Sequence, residues 1–140
     1  MIEFAEQRTL LFRVGTAVYG CDIADVREIV PPRKATRLPG TPPYVNGLIN
    51  LRGAILTVID LGARLEGDRS LTGDGSIIIV EVGGRRMGMA VGDVMDVTPL
   101  RIDPPPEEGA DAVLRGLGHL GGTVVIVLDV PALVGEVLIP

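Results

Sequence analysis

The sequence predicts an all-β protein made of two similar five-stranded barrels, closed or nearly closed, with short helices. Three observations predict it. The first is an internal repeat: Val14, Gly15, Gly20, Asp25 and Val26 return 68 positions later as Val82, Gly83, Gly88, Asp93 and Val94. At a spacing of 69, Gly47, Leu48, Leu51, Gly53, Val58, Asp60 and Ala63 return as Gly116, Leu117, Leu120, Gly122, Val127, Asp129 and Ala132. The second is a core with almost no aromatic material, only Phe4, Phe12, Tyr19 and Tyr44 with no Trp, so that Val and Ile must supply it, and these favour strands. The third is the regular punctuation of short apolar runs by Gly and Pro, which suits small barrels without exposed sheet edges. A unit of about seventy residues has been duplicated and fused, and two similar lobes are expected to face each other across a groove. We expect one domain over 1–140, with one subdomain near 9–66 and another near 76–140, the termini free to cross between them.

The elements follow in order. Thr9 to Val14 alternates, Gly15 and Thr16 turn, and Ala17 to Ile23 returns, which is a hairpin. Ile23, Val26, Ile29 and Val30 fit a turn or two of helix or equally a third strand, ended where Pro31 and Pro32 impose extended backbone. After the stiff stretch of Pro39, Gly40, Pro42 and Pro43, the segment from Gly47 to Asp60 is two apolar runs broken by Arg52 and Gly53, a second hairpin with Arg52 at its turn. Asp60 and Asp129 precede helix-forming stretches, the latter with an early Pro131, and both read as N-caps. Residues 66–76 form the linker, and the second copy repeats the hairpin from Ile77. Its polar, Pro-rich connector at 101–111 is expected to be a mobile surface loop.

The duplication supplies an internal control. Residues kept in both copies serve the shared fold, and residues kept in one are free for function. Arg52 is the clearest of the second kind, because its counterpart, Gly121, has no side chain. The shared Gly20 and Gly88 are expected where backbones pack closely.

Composition excludes several classes. A net charge of −5 argues against phosphate-backbone binding, which needs clustered Lys and Arg, so no nucleic acid partner is expected. An apolar fraction of 46% is ample for a packed core. The lone Cys21 cannot form an internal disulfide and fits a reducing compartment, so a cytoplasmic location is expected. The opening residues lack a basic segment followed by an apolar run, and no run approaches the length of a membrane span, so neither a signal peptide nor membrane insertion is expected.

Enzyme chemistry finds little to use, and no enzyme activity, cofactor or metal is expected. His119 is alone in a Gly-rich turn segment, without partners at ligand spacing. Cys21 lies in an apolar strand with no His beside it, the setting of a buried, inert thiol. Gly83 with Gly84, and Gly121 with Gly122, are hairpin turns rather than phosphate loops. Asp93 and Asp96 read as solvated, and Met87, Met89 and Met95 as core filler.

What remains is a binding module. The motifs VREI at 26–29, TRLP at 36–39 and PYVNGLINLRGAILTVIDL at 43–61 resemble the signature of CheW-like domains, and the resemblance continues through Val82 to Val97 in the second copy. It implies two pseudo-symmetric SH3-like five-stranded barrels. It also implies a non-enzymatic adaptor that couples the cytoplasmic tip of chemoreceptors to the regulatory domain of a CheA-type histidine kinase, with recruitment to membrane receptor arrays and assembly into rings with the kinase. The free-standing adaptor is the expected member, since 140 residues leave no room for kinase machinery. Carried over position by position, the candidate receptor contacts are Val26, Glu28, Gly47, Asn50 and Arg52, while the kinase contacts stay unassigned. Arg52 offers five donors to carboxylates and carbonyls. Two other functions fit the same residues: a sensory barrel binding a small molecule between the lobes, and an adaptor for a kinase array outside chemotaxis, controlling pili or development.

Overall fold

The computed structural model describes residues 6–138. Phe4 and the opening residues, and Ile139 and Pro140 at the end of the second copy, lie outside the described residues. The described residues form ten strands: β1 (Gln7–Val14), β2 (Ala17–Asp22), β3 (Val26–Val30), β4 (Val45–Leu51), β5 (Ala54–Asp60), β6 (Ser76–Val82), β7 (Arg85–Val91), β8 (Val94–Leu100), β9 (Leu114–Leu120) and β10 (Thr123–Leu128). Helix α1 (Leu61–Glu66) follows β5 and α2 (Val130–Val137) follows β10. The stretch left open between helix and strand contains both in miniature: a 3-10 turn at Ile23–Asp25, capped by Asp22, runs straight into β3.

The ladders give two five-stranded sheets whose makeup crosses the repeat. In the first, ordered β8-β1-β2-β10-β9, the opening hairpin of the first copy lies between strands of the second. In the other, ordered β3-β6-β7-β5-β4, the hairpin β6-β7 of the second copy lies between strands of the first. The seams between copies are the parallel pairings of β2 with β10 and β5 with β7 and the antiparallel pairings of β1 with β8 and β3 with β6. Each sheet is therefore assembled from both copies of the repeat. Gly20 and Gly88 sit at these seams. A Cβ on Gly20 would lie 2.5 Å from Thr9 Cγ2 and 3.3 Å from Val125, and one on Gly88 would lie 2.9 Å from Ile77 and 3.1 Å from Val58. Those glycines let neighbouring strands fill the space above them.

Period-two alternation splits the apolar residues among three clusters. In β1, Leu11 faces a small core inside the first sheet with Val18, Leu100, Val125 and Val127, whereas Leu10, Phe12 and Val14 face the other way. In β6, Ile77 and Ile79 join Ile49, Leu56 and Val58 inside the second sheet, and Ile78 and Val80 face outward. The outward sets meet in the largest cluster, completed by Met87, Met89, Leu61 and the α2 residues Val130, Leu133 and Val134. The lobes thus share a core where a groove was expected, because the exchanged hairpins turn a full apolar face toward each other. Met87 and Met89 are core filler, but Met95 is 43% exposed.

Each sheet is drawn toward closure by one symmetric device. Beyond β3, Thr36 and Leu48 of β4 exchange two backbone hydrogen bonds of 2.8 Å. Beyond β8, Asp103 and Leu117 of β9 do the same at 2.8 Å. Both caps are also duplicated, Asp60 accepting from the Ala63 amide at 2.8 Å and Asp129 from the Ala132 amide at 3.0 Å. Asp60 further accepts from Thr72, which anchors the linker. The 101–111 connector is held at both ends rather than free, by the Asp103 bridge and by Asp111.

Asp111 belongs to a clamp between the repeats. Arg64 of α1 donates to both carboxylate oxygens of Asp111, at 2.8 and 3.0 Å, and to Glu136 of α2 at 2.7 and 2.8 Å, over the Tyr44 ring. Its hydrogen bonds hold the Asp111 carboxyl below the ordinary aspartate range. A depressed folded-state pKa contributes stability that is present above the unfolded aspartate value and lost as pH falls through the folded one. Arg64→Met is therefore expected to lower the melting temperature at neutral pH and to flatten its fall on acidification, as read by thermal denaturation across acid pH. An unchanged acid profile would remove the clamp from the account.

Candidate functional site

The sequence candidates fall on one lobe, at the β4-β5 turn and the edge strand β3. The turn is a two-residue hairpin whose central residues are both left-handed, Arg52 at φ 49° and Gly53 at φ 86°. Such turns match the strand twist and favour Asn and Gly, and the second copy supplies Gly121 at φ 60°. Arg52 is the only non-glycine residue with positive φ among the described residues. Strain of this kind costs about 1–2 kcal/mol for a side chain without local hydrogen bonding. Asn50 steadies the turn by accepting from the Gly53 amide at 2.9 Å.

Arg52 reaches across the open side of the sheet to pair with Glu28 of β3, at the opposite edge. A bulge between Val26 and Glu28 re-aims the strand there. Arg27 is thereby sent to Glu81, and Glu28 faces Arg52. Both partners keep solvent contact, the Arg52 side chain being 68% exposed and Glu28 32%. The pair therefore adds about 0–1 kcal/mol to stability and leaves the guanidinium available to a partner.

Glu28, Asn50 and Arg52 are thus brought together, and the other two candidates are not equivalent to them. Val26 is half-buried against the central cluster. Gly47 is buried, and a Cβ there would lie 2.0 Å from the Thr36 carbonyl oxygen; at its counterpart Gly116 the same atom would lie 2.1 Å from the Asp103 carbonyl oxygen. Both glycines make room for the closing bridge. Sequence reasoning missed Arg33, whose Nη1 donates to the Asn50 carbonyl at 3.2 Å. It also missed two exposed aliphatics, Ile55 directly across from Asn50 and Ile29 beside Glu28. The departure of Ile29 and Ile55 from strict burial is not visible before the faces of the strands are known.

Elsewhere among the described residues no cluster of His, Cys, Asp and Glu is placed to hold a metal ion. Cys21 is fully buried, and burial, reinforced by Asp25 and Asp22, pushes its thiol up to about 12, the reverse of nucleophile activation. His119 is exposed, 4.0 Å from Asp103. An open cavity of about 530 Å³ lies away from the turn among Glu6, Asp22, Asp103 and Arg115. No helix among the described residues is long and apolar enough to cross a membrane.

The fold is a duplicated β-protein that carries an exposed, strained arginine at one of two equivalent turns. The comparisons supply the family: the model of the CheW-like domain matches residues 8–137, and the chain belongs to that family. The chemotaxis protein CheW of Klebsiella aerogenes is 34% identical over 96% of this chain and 85% of its own. The crystal structure of the scaffolding protein TtCheW from Thermoanaerobacter tengcongensis superposes with a TM-score of 0.77 at 34% identity, covering 89% of each chain. Protein FrzA of Myxococcus xanthus is 33% identical over 85% of this chain and 74% of its own.

Proposed function

We propose that this chain is a non-enzymatic chemotaxis adaptor whose β3 and β4-β5 edge receives the cytoplasmic tip of a chemoreceptor, while other surfaces engage the regulatory domain of a CheA-type histidine kinase. The observation that carries the site is Arg52. It is held in a conformation that favours glycine, in a repeat whose other copy uses glycine, and it projects a largely solvated guanidinium. A helical partner would find Ile55 and Ile29 for apolar contact and the Arg52 fork for its carboxylates. Glu28 keeps that fork oriented until a partner competes for it.

Receptor-bearing membranes, purified kinase and this chain, sedimented together, test the adaptor role. Kinase is expected to pellet with receptor only when the chain is present. Equal pelleting without it would contradict coupling. A second reading, an adaptor for a kinase array outside chemotaxis, draws on the match to FrzA. Binding to a kinase and receptor pair from such an array, and not to the chemotaxis pair of the same cell, would favour it.

A further inference from the structure

From Ile29 to Ile59 the chain has no acidic residue and four cations, Arg33, Lys34, Arg37 and Arg52. The whole chain carries −5 and this stretch +4, so the remainder carries −9. The corresponding residues of the second copy, 98–128, hold Arg101 and Arg115 against Asp103, Glu107, Glu108 and Asp111, a balance of −2. Two copies of one fold place opposite charge on equivalent elements, so the fold does not demand the basic stretch.

The structure gathers these cations. The Thr36–Leu48 bridge is antiparallel, which carries residues 33–35 back along β4 toward the Asn50 and Arg52 turn and sets Arg37 beside Gly47 further along the same strand, and the Arg33 hydrogen bond to Asn50 fixes that register. Arg33, Lys34 and Arg37 are exposed, and among the described residues none of them has an acidic partner, unlike Arg27, Arg64 and Arg86.

We infer that Arg33, Lys34 and Arg37 extend the Arg52 site into a basic track that selects an acidic face on the helical receptor partner and speeds its docking. The inference rests on the receptor reading above. The four cations attract and orient a carboxylate-bearing helix, and the acidic remainder of the chain repels it from other faces. That remainder also disfavours broad polyanions such as a charged lipid surface, which would meet both.

Association of the full chain with the receptor tip, followed by stopped flow at low and at physiological salt, tests it with the variant Lys34→Glu/Arg37→Glu. Both side chains are solvated, so the variant is expected to fold, with circular dichroism as the check. The association rate is expected to drop about tenfold at low salt and to lose most of its salt dependence. Wild-type rates in the double variant, with binding lost in Arg52→Glu, would overturn the track and leave the receptor reading standing. No binding by the wild type would overturn both. Wild-type binding to phosphatidylglycerol vesicles that the double variant abolishes, without change at the receptor, would assign the track to a lipid surface instead.

Discussion

Gly47→Ala is expected to destabilise the protein by about 3 kcal/mol or more, because it combines two penalties at one backbone position. The residue has φ 134°, a region that side chains rarely enter, and its Cβ would lie 2.0 Å from the Thr36 carbonyl oxygen. Relief requires breaking the pair of hydrogen bonds that draws residues beyond β3 onto β4. A drop in melting temperature on the order of 10 °C follows for a domain of this size. Gly116→Ala should fall less far, since it meets the Asp103 carbonyl at 2.1 Å without the positive φ. Unchanged melting in both variants would contradict the closure device. Any receptor defect of Gly47→Ala should shrink at lower temperature along with the unfolded population, because the residue presents no side chain to a partner.

Arg52→Gly is expected to do the opposite. It installs the residue that the second copy carries at the same turn, relieving about 1–2 kcal/mol of backbone strain. The loss of one solvated ion pair with Glu28 offsets this by no more than a comparable amount. Stability measured by denaturant titration should therefore stay level or rise. Receptor affinity should fall by about 2 kcal/mol, roughly thirtyfold, as when one member of a desolvated charged contact is removed. A variant that is as stable as wild type and fails to bind would separate the role of Arg52 from any structural one, which Arg52→Glu cannot do as cleanly because it also sets a carboxylate against Glu28. A large loss of stability would show that the turn needs the ion pair after all.

The fold was legible where chemistry is local. Alternation and Gly-Pro punctuation located β1, β2, β4 and β5, and the Asp60 and Asp129 caps came straight from residue type and position. The repeat exposed the duplication but not the exchange of hairpins, because a sequence period says which segments are equivalent and nothing about which of them pair. For the same reason the space between the lobes was expected to be a groove. Only the faces turned by β1 and β6 reveal that Phe12, Ile78 and Met87 fill it. At the site, Arg52 stood out because its counterpart is Gly121. Gly47 and Gly116 were both kept, and the structure gives them the same structural task. Arg33, Ile55 and the Arg64 clamp depend on contacts 17 to 72 residues apart in sequence or on strand faces, and periodicity carries neither.

The measurement that bears most directly on the central claim is the affinity of wild type and Arg52→Gly for the cytoplasmic receptor tip, with the kinase regulatory domain titrated in parallel. The variant is expected to lose at least tenfold at the receptor and to change less than about twofold at the kinase domain. Equal receptor affinity in the two proteins would contradict the assignment of this edge as the receptor site.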